Sequence, residues 1–184
     1  MKKYLSAILL GSALFSVASA ADFTLPEKSP VVGFSFPAKW EAEKYDGGVE
    51  ATSEDGEVYI AIENIKKEEV AASMDEAIKY LKGKGVKAKE ESLKTTEGKL
   101  NGLDVVNLSW DGTDKDGACK ISVVVIGVTA DKGILVIYWA SPEGEKKNQA
   151  DLTKLMDSIK PTAKADKEEK KEEKKEDKEE KEDK

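Results

Sequence analysis

Cys119-Lys120-Ile121-Ser122-Val123-Val124-Val125-Ile126-Gly127-Val128, then Asp131-Lys132-Gly133, then Ile134-Leu135-Val136-Ile137-Tyr138-Trp139-Ala140: this stretch decides the fold. Two runs rich in β-branched and aromatic residues flank an Asp-Lys-Gly turn, which predicts a β-hairpin. A strand with one wet face alternates apolar and polar residues. These two are apolar at odd and even positions alike, so the middle of their sheet has to be covered on both sides.

Working outward, the covers can be found. Toward the C-terminus, Ser141-Pro142 reads as an N-cap followed by a first-turn proline. Leu152, Leu155, Met156 and Ile159 then recur at helical spacing until Pro161 stops the helix. Toward the N-terminus, Asp111 to Gly117 is a turn, Leu103 to Trp110 a strand, and Asn101-Gly102 a hairpin signal, because both central positions of a type I′ turn need positive φ. A weak strand precedes it. Ser73-Met74-Asp75-Glu76 has the form of a capping box with Ser73 as N-cap, and Met74, Ala77, Ile78 and Leu81 give the stripe of a second helix that Gly83 and Gly85 end. Val58 to Glu63 places Val58, Ile60 and Ile62 on one face of a strand. Gly47-Gly48 and Asp55-Gly56 bracket another at Val49 to Thr52, and Val31 to Phe36, stopped by Pro37, is the first. Strands interrupted by two helices predict an α+β fold, an antiparallel sheet covered by helices on both faces.

The two ends differ from this middle. In MKKYLSAILLGSALFSVASA, Lys2 and Lys3 precede an apolar stretch from Leu5 to Val17, and Ala18-Ser19-Ala20 has the small-x-small form that signal peptidase accepts. Residues 1–20 are therefore expected to be a cleavable signal peptide cut after Ala20, making the protein periplasmic or secreted. The apolar run is shorter than the roughly 20 residues of a spanning helix, so no stable membrane insertion is expected after cleavage. Lys164 to Lys184 contains lysines, carboxylates and Ala165. Its Glu-Glu-Lys-Lys repeat has a period near four, which sets like charges at i,i+4 (Glu168 with Glu172, Lys170 with Lys174) and weakens a helix. The expected organisation is a leader at 1–20, one α+β domain at 21–162 and a disordered or partly helical charged tail at 163–184.

Composition narrows the chemistry. Without Lys2 and Lys3 the chain keeps 28 lysines against 37 carboxylates, a net charge of −9. That argues against nucleic acid and anionic lipid, which need a concentrated positive surface. There is no histidine and no arginine, so no Ser-His-Asp or Cys-His arrangement exists. Cys119 is the single cysteine. It has no partner for an intrachain disulfide, and at the start of a core strand it is expected to be a buried, inert thiol. Asp111-Gly112-Thr113-Asp114-Lys115-Asp116-Gly117 matches part of a calcium loop, but Gly112 stands at the first ligand position and Val123 where the bidentate glutamate belongs. An Asp- and Gly-rich hairpin turn accounts for the same residues. Trp40, Trp110, Trp139, Tyr59 and Tyr138 are read as core and sheet-face packing ahead of a stacking platform. No catalytic, cofactor-binding or metal-ligating residue is assigned, no cofactor is expected, and the chain is not expected to be an enzyme.

Phe34-Ser35-Phe36-Pro37-Ala38-Lys39-Trp40, an aromatic-Pro-x-x-Trp opening, is followed by short hairpins, a Ser-capped middle helix, a long apolar hairpin and the closing Leu152-Thr153-Lys154-Leu155-Met156-Asp157-Ser158-Ile159-Lys160-Pro161. In this order and these motifs, from Phe34 to Pro161, the chain resembles the Mog1/PsbP-like superfamily. The resemblance implies an antiparallel sheet between helical layers (an α/β/α sandwich). It also implies a non-catalytic binding or accessory role, since members serve partners as different as a nuclear transport GTPase and photosystem subunits. It transfers no functional residue. The expectation is an exported accessory protein with a protein partner in the cell envelope; the alternative is a periplasmic module for a small ligand or metal.

Overall fold

The computed structural model describes residues 20–163 and residue 165. The expected signal peptide, up to residue 19, and the charged tail after residue 165 lie outside the described residues. In chain order the elements are β1 (Ala21–Leu25), β2 (Val32–Phe36), β3 (Glu41–Tyr45), β4 (Gly48–Thr52), β5 (Val58–Lys66), α1 (Val70–Gly83), β6 (Lys87–Ala88), β7 (Lys94–Leu100), β8 (Leu103–Thr113), β9 (Ala118–Gly127), β10 (Lys132–Ala140), α2 (Pro142–Ser158) and β11 (Lys160–Pro161). The main sheet is antiparallel in the order β3-β4-β5-β10-β9-β8, with β6 and β7 both paired to β8.

The deciding hairpin, β9–β10, sits in the middle of that sheet, paired from Gly127↔Gly133 to Lys120↔Ala140. Because neighbouring side chains point to opposite faces, its apolar residues divide. Val124, Ile126, Ile134 and Val136 join Ile60 and Ile62 of β5 on one side, while Ile121, Val123, Leu135 and Ile137 join Ala61 and Ile65 on the other. Both sides are covered. Ala77 and Leu81 of α1 close the second side. Leu155 of α2 and the adjoining Ile159 close the first, together with a feature the sequence did not disclose: β1, β2 and β11 form a separate three-stranded sheet whose Phe34 and Phe36 enter the same cluster. The expected first strand thus lies in this small sheet, outside the main one. Each fully buried leucine, isoleucine or phenylalanine contributes about 1.5–3 kcal/mol relative to an exposed one, so the two clusters hold the layers together.

Local signals set the ends of the elements. Ser141 Oγ accepts a hydrogen bond from the Gly144 amide at 2.9 Å, with Pro142 in the first turn of α2. Gly85, at φ 83°, lets the Val86 amide bond back to the Leu81 carbonyl at 2.9 Å and close α1. The Ser73 cap is a correction. A 3₁₀ turn at Lys67–Glu69 runs into α1 at Val70, the N-cap is Glu69 without a side-chain bond, and Ser73 lies inside the helix. Val70 and Met74 both pack against the second cluster, so burial extends the helix a turn beyond the point where the local cap would begin it.

At the other end of the sheet, Asn101 (φ 51°) and Gly102 (φ 89°) form the turn between β7 and β8. The Asn101 amide also caps α2, donating to the carbonyls of Ile159 at 2.8 Å, Met156 at 3.0 Å and Asp157 at 3.3 Å. Packing continues past the expected boundary at 162. Thr162 donates to the carbonyls of Val31 and Pro30, and Ala165 is buried in the first cluster. Among the described residues no helix is long and apolar enough to cross a membrane.

Candidate functional site

On its side of the main sheet, α1 packs over β5, β10 and β9. On the same side of β3 and β4, Glu41, Glu43 and Tyr45 are exposed and Glu50 and Thr52 half-buried, and α1 reaches β4 through Tyr80. Pairing fixes what is displayed there: Glu43 faces Glu50, Glu41 faces Thr52 and Tyr45 faces Gly48 across β3–β4. Gly48 and Thr52 in turn face Glu63 and Tyr59 across β4–β5. By strand alternation, Glu41, Glu43, Tyr45, Glu50, Glu63 and Tyr59 share the α1 side. Three strands and one helix end therefore bring four carboxylates together beside Tyr45, Tyr59 and Tyr80.

Two of these carboxylates are held by phenols. Tyr45 Oη donates to Glu63 Oε1 at 2.6 Å. It reaches across β4 because Gly48 intervenes; a Cβ there would stand 2.8 Å from the Tyr45 ring and 2.7 Å from the Ile62 carbonyl oxygen. Tyr59 Oη donates to Glu50 Oε2, Tyr80 Oη bonds the same oxygen at 3.2 Å, and the two phenols touch each other. Burial, followed by the hydrogen bond to the partner carboxylate, pushes the Tyr45 and Tyr59 hydroxyls well above the usual phenol range. Both remain donors at any physiological pH. The side chains of Glu41 and Glu43 are exposed and make no hydrogen bond or ion pair among the described residues. Opposed glutamates on an antiparallel pair repel one another, so the Glu43–Glu50 pairing is unfavourable to the sheet that carries it.

The patch runs into a cavity. Tyr59 stacks on Trp139 with ring centroids 4.0 Å apart and planes at 24°. These rings, with Lys84, Glu57, Asp114 and Glu143 among others, line a cavity of 660 Å³ at the C-terminal end of α1. Lys84 Nζ lies 5.1 Å from the centre of the Tyr80 ring, within cation–π range. The arrangement offers acceptors and aromatic faces, the chemistry that attracts a cationic group.

The residues singled out by sequence fall in different places. Tyr59 and Trp139 come together here. Trp110 is on the α1 side but half-buried in the second cluster. Trp40 is on the opposite side against Phe36, and so is Tyr138. Cys119 is buried near the start of β9, where burial pushes its thiol up to about 11. It stays protonated at neutral pH and is a poor nucleophile. The Asp111 to Gly117 stretch divides: Asp111 to Thr113 are part of β8, and the turn narrows to residues 114–117. Asp111 pairs with Lys120, Asp114 accepts from the amides of Asp116 and Gly117 at 2.8 and 3.1 Å, and Asp116 pairs with Lys115. These contacts are those of a strand end and a tight turn. Glu43, Glu50, Glu63, Tyr45 and Tyr80 were not singled out by sequence.

Known proteins resemble this chain through their structures. No protein-family model matches it, and no curated protein does. The solution structure of cyanobacterial PsbP (CyanoP) from Synechocystis is 11% identical and matches over 83% of this chain and 99% of that one, with a TM-score of 0.55. A crystal structure from Bacteroides thetaiotaomicron is 12% identical and matches over 77% of this chain, with a TM-score of 0.51; the match takes in 48% of the Bacteroides chain, so this protein spans about half its length. LpqN of Mycobacterium tuberculosis, described as involved in cell envelope biogenesis, gives 12% identity over 78% of this chain and 91% of that one, at a TM-score of 0.48. At such identities the likeness speaks to fold alone. The fold is Mog1/PsbP-like, an α+β architecture with the antiparallel sheet covered from both sides.

Proposed function

We propose that this chain is an exported, non-catalytic accessory protein of the cell envelope that docks a protein partner on the exposed α1-side face of β3 and β4, where it borders β5. The leader-like N-terminus supports export, and a composition without histidine or arginine supports a binding role over acid–base or nucleophilic chemistry. The observation that carries the reading is Glu43 opposite Glu50. A like-charge pair that weakens its own sheet, beside carboxylates held by Tyr45, Tyr59 and Tyr80, makes sense as a surface completed by something else.

The test is a crosslinked pull-down from envelope extract using residues 21–184, with and without the double substitution Glu43→Lys/Glu50→Lys. A partner captured by the unsubstituted chain and lost with the variant supports the reading. Capture that the variant leaves unchanged places docking elsewhere, and no capture at low salt argues against docking. The Tyr59–Trp139 cavity favours a second reading, a module for a small ligand. A ligand that binds the folded state raises the melting temperature by mass action, so a thermal-shift screen of metabolites separates the two.

A further inference from the structure

We infer that the segment received by this face is basic: a lysine- or arginine-bearing stretch of the partner protein, with one cationic side chain entering the cavity walled by Tyr59 and Trp139. The inference rests on the docking reading above and specifies its chemistry. Glu41, Glu43, Glu50 and Glu63 share the face, and the lysine of β3, Lys44, alternates to the other side, where it pairs with Glu27 at 2.7 Å. Of the two lysines lining the cavity, Lys84 lies over the Tyr80 ring and Lys115 is paired with Asp116. Glu57, Asp114 and Glu143 leave the lining with an acidic excess.

Each alternative occupant meets a physical objection. An apolar partner would bury four carboxylates, with the Glu41 and Glu43 side chains left without a hydrogen-bond partner, which is costly. A second copy of the chain using the same patch would set acid against acid. A cationic segment has neither problem. Glu50 and Glu63, already fixed by hydrogen bonds to Tyr59, Tyr80 and Tyr45, lose little side-chain freedom on pairing. Cations are also drawn to the faces of indole and phenol rings.

The experiment uses the chain from residue 21 to 184 and two labelled decapeptides, one alternating lysine with serine and one alternating glutamate with serine, followed by fluorescence anisotropy. The lysine peptide is expected to bind and the glutamate peptide not. Glu43→Gln/Glu50→Gln should weaken binding about fivefold to tenfold, the loss of two partly exposed ion pairs. Glu90→Gln/Glu91→Gln removes the same charge beyond the opposite edge of the sheet and should change affinity less than twofold. The lysine peptide should shift the tryptophan emission of the unsubstituted chain, and Trp139→Phe should remove that shift. Equal weakening by the two double variants would reduce the effect to net charge and overturn the inference, and so would failure of the lysine peptide to bind. If the lysine peptide fails while envelope capture still depends on Glu43 and Glu50, the basic segment is wrong and the docking face stands. If capture is indifferent to those residues, the docking reading itself falls.

Discussion

Asn101 is where one side chain serves two elements, and its replacement separates the two roles. Its backbone holds φ at 51° in the β7–β8 turn, and its amide donates to the carbonyls of Met156, Asp157 and Ile159 at the end of α2. Glycine keeps the backbone conformation and deletes the amide. Of the three bonds, the one to Ile159 is partly shielded and the other two are exposed, so Asn101→Gly should cost about 1–2 kcal/mol. Alanine loses the same bonds and must also hold a left-handed conformation, for a total of about 2–4 kcal/mol. Aspartate tolerates the backbone but aims a negative charge at the negative end of a helix, adding about 0.3–1 kcal/mol to the lost bonds. Urea unfolding followed by circular dichroism should show the midpoint falling from the unsubstituted chain to glycine and further to alanine, with the slope unchanged. For a domain of this size each kcal/mol lowers the melting temperature by roughly 3–5 °C. If Asn101→Gly matches the unsubstituted chain, the amide does not secure α2; if alanine matches glycine, the turn does not require positive φ.

Three further outcomes are expected. Glu43→Gln, which removes the like-charge pair, should leave the domain as stable as before or more stable by a few tenths of a kcal/mol, read as the urea midpoint. A clear loss would mean that Glu43 supports the sheet. Asp55 accepts hydrogen bonds from Ser53, the Glu57 amide and Asn148 and pairs with Lys147 at 2.9 Å; the Ser53 bond and then Lys147 hold its carboxyl well below the usual carboxylate range. Because the folded pKa is the depressed one, this stabilisation is complete above the unfolded value near 4 and fades as pH falls below it, so Asp55→Asn should flatten the decline of melting temperature between pH 5 and pH 2.5. Cys119, buried and with its thiol pushed up to about 11, should react with a thiol reagent at pH 7.5 only after denaturant unfolds the domain. Rapid labelling of the folded chain would contradict its placement.

The parts legible in the sequence were those where local chemistry and burial agree. The doubly apolar hairpin called for two covers, the turn at Asn101-Gly102 and the cap at Ser141-Pro142 fell where turn and cap geometry require, and the α2 stripe ran to its proline. Legibility failed where a strand gains little from burial. Of β3, Glu-Ala-Glu-Lys-Tyr, only Ala42 is even half-buried, and β1 forms because β2 offers it an edge. Ser73 misled because a cap contributes about 1 kcal/mol, which the packing of Val70 and Met74 outweighs. The candidate site is a product of register. The sequence places its turn signal at Gly47-Gly48, whereas the two-residue turn is Asp46-Gly47, which sets Tyr45 opposite Gly48 and Glu43 opposite Glu50. Nor was the meeting of Tyr80 with Glu50 legible, since it depends on how α1 lies across the sheet.

The small sheet has a bearing on when this protein can become a protein at all. β2 is flanked by β1 on one edge and β11 on the other, and the contacts that lock it in place, Ser35 with Ser158 and Pro30 with Thr162, join residues 123 and 132 positions apart. A chain that leaves a ribosome or a pore N-terminus first finds one edge of β2 immediately and waits for nearly the whole domain before the other arrives. Until then Phe34 and Phe36 lack the α2 side of their cluster, and contacts of such separation form slowly. The small sheet and the cluster it covers therefore close only after the last strand of the domain has been made, later than the hairpins of the main sheet.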